Sequence, residues 1–130
     1  MASADLRLRN EETMDTTQSP RWVEVAQVDE IAASDAKCCP VGSVYIAVYN
    51  LGGIFYATSD ICTHAHAHLS YGYIDGDTVE CPLHQGRFHI PTGKAISAPV
   101  TEDVRTYPVR VEGHKILVQI ESNDSGPTSC

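Results

Sequence analysis

Apolar and polar positions along this chain alternate in short runs bounded by glycine, proline, asparagine and aspartate. That is the pattern of strands joined by tight turns rather than of helices. The runs are RWVEVAQV (21–28), SVYIAVYNLGGIFYATS (43–59), DTVEC (77–81), GRFHI (86–90) and VRTYPVRVEGHKILVQI (104–120). The second is two β-rich stretches around Asn50-Leu51-Gly52-Gly53, a hairpin signal. PLHQ separates the third and fourth runs as a turn, and PTGK follows the fourth. The last run predicts a hairpin turning at Glu112-Gly113-His114-Lys115, and Pro108 inside its first arm calls for a sheet edge or a bulge. VDEIAASDA (28–36) allows no more than a helical turn. The expected fold class is a small all-β domain.

Residues 1–20 are polar and charged up to Pro20 and predict a flexible arm, and residues 122–130 (SNDSGPTSC) a similarly loose tail. The 130 residues suffice for one domain with a core, and 42% apolar with 20% charged residues is a globular composition. Nine basic against seventeen acidic residues give a formal charge of -8. That argues against nucleic acid or an anionic membrane as partner and suits docking to a basic patch. The opening MASADLRLRNEETMD has no apolar signal core, and VYIAVY (44–49) is too short to span a bilayer. A cytoplasmic location is expected.

The candidate chemistry lies in two fragments, CTH at 62–64 and CPLH at 81–84. Each pairs a thiol with an imidazole, and sixteen residues separate His64 from Cys81. Asp75-Gly76 within that interval lets the chain run out and back, so the fragments can face each other as neighbouring loop tips. Two Cys and two His suit either tetrahedral zinc or a [2Fe–2S] cluster with two histidines on one iron. Alternation of Cys/His with Cys/His suits a cluster whose irons each draw a ligand from both loops. CTHAHAHLS (62–70) raises a rival, since on a strand His64, His66 and His68 would share one face. The other cysteines, Cys38, Cys39 and Cys130, make a poor disulfide framework and read as incidental free thiols.

CTH, sixteen residues and then CPLHQGRF together resemble the Rieske motif. IPTGKAISAPV and YPVRVEG resemble the segments that follow it in ferredoxin components of bacterial aromatic-ring-hydroxylating dioxygenases, of the naphthalene and biphenyl type. The resemblance spans about residues 22–121. It implies a Rieske fold over 21–121, an antiparallel β-sandwich-like base carrying a small cluster-binding part at about 58–92. It also implies a Rieske-type [2Fe–2S] cluster, with Cys62 and Cys81 on the inner iron and His64 and His84 on the outer one. Thiolates stabilise the iron that stays ferric, and imidazoles favour the one that becomes ferrous. SAPV (97–100) would be the proline-containing loop that covers the cluster.

The implied function is a monomeric electron carrier, not an enzyme, with no catalytic residue of its own. It would pass single electrons from an NAD(P)H-dependent flavin reductase to the terminal oxygenase of an aromatic-ring dioxygenase system. The alternatives are service to another oxygenase such as a diiron monooxygenase, a redox-sensing Rieske module, and a structural zinc protein.

The chain departs from respiratory Rieske proteins, which have a disulfide-forming cysteine in each ligand loop. Ala67 and Leu83 stand there instead. Gly86 and Phe88 stand where those proteins have a serine and a tyrosine whose hydroxyls bond the cluster region. Such bonds stabilise the reduced state, so their absence implies a potential near the low end of the Rieske range, about −150 mV. Given ligand loops, His66 and His68 read as solvated or locally hydrogen-bonded neighbours, as does His89, and His114 reads as surface. Gln85 and Arg87 beside His84 read as surface residues or contacts to a redox partner. Asp60, Asp75, Asp77 and Glu80 read as a solvated charged face that offers docking contacts.

Overall fold

The computed structural model describes residues 20–42, 44–63, 67–83, 85–97 and 102–121. The expected arm and tail, His64, His66, His84 and residues 98–100 of SAPV lie outside the described residues. Strand β1 (Pro20–Gln27) leads through a 3-10 turn (Val28–Glu30) into a meander of β2 (Asp35–Val41), β3 (Val44–Leu51) and β4 (Ile54–Ser59). A 3-10 turn at Leu69–Tyr71 precedes four short strands, β5 (Tyr73–Asp75), β6 (Thr78–Glu80), β7 (Arg87–His89) and β8 (Ala95–Ser97). The chain closes with β9 (Thr106–Tyr107), β10 (Val109–Glu112) and β11 (Lys115–Glu121). No α-helix occurs among the described residues, as the pattern predicts, and no helix there is long and apolar enough to cross a membrane.

The strands form three antiparallel sheets, in orders β9-β4-β3-β2, β10-β11-β1 and β5-β6-β7-β8. The predicted hairpins hold. Leu51 pairs with Ile54 across Gly52 and Gly53, whose φ of 66° and 98° supply the left-handed backbone of a two-residue loop. Glu112 pairs with Lys115 at the second turn. Pro108 marks the point where the chain changes sheets, β9 pairing with β4 and β10 with β11. Both are edge strands, so a residue without an N–H costs the ladder nothing there.

Strand β2 differs from the expectation for VDEIAASDA, of which only Val28–Glu30 turns while Asp35 and Ala36 already pair with β3. Pro40 and the adjacent cysteines hide this strand from a propensity reading, and its edge position tolerates the proline. β5 and β8, three residues each, are too short to show a period.

The core is double. Ile46 and Val48 of β3 join Val41, Ala57, Ile116, Val118 and Ile120 in a lower core between the middle and three-stranded sheets. Ala47 and Tyr49, the alternate residues of the same strand, join Leu69, Val79, Phe88, Ile90 and Val104 in an upper core under the small sheet. β3 is therefore apolar on both faces, which is why VYIAVY reads as a continuous run rather than an alternation. Burying side chains such as Ile46 or Phe88 contributes about 1.5–3 kcal/mol each. The Tyr49 hydroxyl is satisfied by Thr58 Oγ1 at 2.9 Å, and that hydroxyl donates onward to the Ser59 carbonyl.

Candidate metal centre

Both Cys-containing fragments emerge where a strand ends against the upper core. Cys62 lies three residues beyond β4 and Cys81 directly after β6, and both are buried in that core. Each opens a loop closed in the same way. The N–H of Cys62 donates to the carbonyl of Ala67 at 2.9 Å, and the N–H of Cys81 to that of Gly86 at 2.7 Å, five residues on in both cases. Gln85, inside the second loop, has a left-handed backbone with φ of 63°. Thr63 Oγ1 donates to the Glu102 carbonyl at 3.0 Å, tying the first loop to the segment after SAPV. That segment is itself pinned by Val104 N–H to the Gly93 carbonyl, 2.7 Å. Gly93, at φ 76°, has no room for a Cβ beside the Val104 carbonyl.

The two thiols meet. Burial pushes the Cys81 thiol from 9.0 up to about 11; a backbone N–H of Leu83 aimed at the sulfur opposes this, and the neighbouring Cys62 thiol adds to it. Neither sulfur is in a disulfide. Two adjacent, buried, unbridged thiols have little use for each other as an apolar contact. They are two soft donors on one wall, and a cation that deprotonates both would remove the mismatch between burial and charge. This pair of thiols thus fits an iron–sulfur or zinc site. Ala67 is buried and Leu83 exposed, so the extra disulfide of respiratory Rieske proteins has no counterpart. Phe88 is fully buried and Gly86 contributes only its carbonyl to the loop.

Among the remaining titratable residues, Arg87 bonds Glu80 Oε1 at 3.0 Å and Asp75 Oδ2 at 3.5 Å. His89 is locally bonded, to Thr92 Oγ1 at 2.8 Å and Asp77 Oδ2 at 2.9 Å, and His114 is exposed. Asp60 departs from expectation: it is 0% exposed and belongs to no charged surface. Its Oδ2 pairs with His68 Nδ1 at 2.6 Å and its Oδ1 accepts from the Ser70 N–H at 2.7 Å. His68 is thus a locally hydrogen-bonded residue, as expected. The partner was missed because it sits eight residues earlier, in a segment (TSDIC) whose burial depends on Leu69 and Ser70 folding back over it.

Cys38, Asp60 and His68 also bring a sulfur, a carboxylate oxygen and an imidazole nitrogen within 4.8 Å of one another. Cys38 is disulfide-bonded, which corrects its reading as a free thiol and withdraws its sulfur as a thiolate donor. Asp60 and His68 are already satisfied by one another.

Two buried thiols, each opening a loop closed by the same N–H to carbonyl link above an antiparallel β base, define a small protein with a thiol-based candidate metal centre. The chain belongs to the Rieske [2Fe-2S] domain family, whose model matches residues 21–108. It is 42% identical over 100 residues to the ferredoxin component of the naphthalene 1,2-dioxygenase/salicylate 5-hydroxylase systems of Ralstonia sp., covering 77% of this chain and 96% of that one. It is also 42% identical over 98 residues to the biphenyl dioxygenase ferredoxin subunit of a Pseudomonas species, covering 75% and 90%. A solved complex of reduced oxygenase and oxidized ferredoxin in carbazole 1,9a-dioxygenase superposes with a TM-score of 0.73 at 37% identity, covering 78% of this chain and 95% of the matched one. The family carries a Rieske-type [2Fe–2S] cluster, which the paired thiols fit.

Proposed function

We propose that this protein is the ferredoxin of an aromatic-ring dioxygenase system, with Cys62, His64, Cys81 and His84 as the cluster ligands. The carrying observation is the pair of buried, unbridged thiols, Cys62 and Cys81, at the starts of two loops closed by the same N–H to carbonyl link. When bound, a Rieske cluster supplies reversible one-electron exchange. Cys62 and Cys81, buried in the upper core, would hold one iron. His64 and His84, two and three residues further along the sequence, would hold the other iron.

The protein is a carrier and not itself an enzyme, monomeric and cytoplasmic, with its Rieske domain at 21–121. Its donor is an NAD(P)H-dependent flavin reductase and its acceptor the terminal oxygenase. The relatives' roles in dioxygenase systems and the oxygenase–ferredoxin complex support this reading. The test is reconstitution. NADH-driven turnover of a cognate reductase and oxygenase should vanish on omitting this protein, and full turnover without it would overturn the carrier role. The purified protein should be red-brown with a reduced-state EPR signal and a potential of about −150 mV. A colourless zinc protein would refute the cluster, and a clearly positive potential would refute the argument from Gly86 and Phe88.

A further inference from the structure

Asp60 and His68 lie at the two ends of the first loop, and the bonds around them anchor and close it. Asp60 N–H donates to the Tyr45 carbonyl of β3 at 2.9 Å, fixing the loop's start on the middle sheet. The Leu69 N–H donates to the Asp60 carbonyl at 2.6 Å, and Ile61 and His68 form an antiparallel bridge one step further in. The carboxylate, 0% exposed, takes the Ser70 N–H on one oxygen and His68 Nδ1 on the other. With the carboxylate as acceptor, Nδ1 carries the proton. The imidazole is held edge-on by Tyr45 at 5.4 Å between centroids and covered by Tyr71 at 5.1 Å. A buried carboxylate is a poor device for stability, since apolar residues of similar volume usually serve as well. Its use is geometric, because a short charge-assisted bond fixes distance and direction where a methyl contact does not.

We propose that Asp60 and His68 form a positioning pair that sets the separation of the two ends of the loop carrying Cys62 and His64. The pair thereby fixes where the first thiolate and the first imidazole meet the cluster; it touches neither iron nor partner. This rests on the ligand assignment made above. Loss of either member removes the side-chain tie between the loop's ends and leaves the backbone bonds alone to hold them, while the lower core, on the far face of β3, stays intact.

The test compares loaded wild-type protein with Asp60→Ala, His68→Ala and His68→Asn. It reads iron release to excess ferrous chelator, the reduced-state EPR spectrum, and thermal unfolding by circular dichroism. Both alanine variants should release iron about tenfold faster or more, the usual effect of removing a group that orients a ligand, and should show broadened or shifted g-values. Asn places an amide nitrogen where His68 Nδ1 was, so His68→Asn should restore both signatures. His89→Ala, which breaks a pairing outside the two loops, should change neither. Wild-type release rates and spectra in both alanine variants would overturn the pairing, as would faster release with unchanged g-values and no rescue by asparagine. If Asp60→Ala does not fold, the two partly exposed His68 variants decide alone. A wild-type protein without the EPR signal would overturn the ligand assignment and the pairing together, whereas unaltered variants of a loaded protein overturn only the pairing.

Discussion

Cys39 in the lower core and Cys81 in the upper core are both buried, and burial raises each thiol from 9.0 to about 11. Their surroundings differ. Cys39 packs among hydrophobic side chains, and its sulfur donates to the Lys37 carbonyl 3.7 Å away. Cys81 faces a second thiol and a backbone N–H. Desolvation alone makes a cysteine inert, and the same desolvation with a second sulfur beside it makes a donor set. The lower core keeps its thiol among hydrophobic side chains, whereas the upper core sets two thiols side by side.

The largest test of that contrast is Cys81→Ser, expected to abolish the visible absorbance and EPR signal while far-UV circular dichroism keeps its β signature. Loss of the β signature as well would mean that the lower core does not stand without the upper. Next is the pair Phe88→Ala and Ile46→Ala, one from each core. Each should cost about 2–5 kcal/mol in denaturant unfolding, but only Phe88→Ala should also hasten iron loss.

A smaller effect separates the inert thiol from its surroundings. The folded state holds the Cys39 proton more tightly than the unfolded chain, so its contribution is complete below pH 9.0 and is lost as pH rises toward about 11. The loss should be roughly 2–3 kcal/mol, seen as a falling urea midpoint across that range in cluster-loaded protein, and Cys39→Ala should remove that share of it. Tyr49, also pushed upward by burial, leaves a residual decline at still higher pH. The smallest expected change is Gln85→Gly, which relieves the left-handed backbone at φ 63° and should stabilise by about 1 kcal/mol in thermal melts.

Much of this was legible in the chain because the signals were local. Asn50-Leu51-Gly52-Gly53 announces its hairpin, and Cys62 and Cys81 announce a shared site by spacing and neighbours. What escaped depends on partners distant in sequence. β2 carries Pro40 and two cysteines and exists because β3 offers it an edge. Asp60 reads as a surface acid until Leu69 and Ser70 close over it. Pro108 calls for an edge or a bulge, and the structure makes it the joint between two sheets.

The two-faced strand β3 also constrains transplantation. Ile46 and Val48 serve one core and Ala47 and Tyr49 the other, so no cut in the sequence separates the two halves. A graft that moves only the loops at 60–70 and 81–86 onto a foreign β scaffold leaves their floor behind. A working transplant has to carry Ala47, Tyr49 and the Tyr45 carbonyl with them, interleaved with host residues at positions 46 and 48.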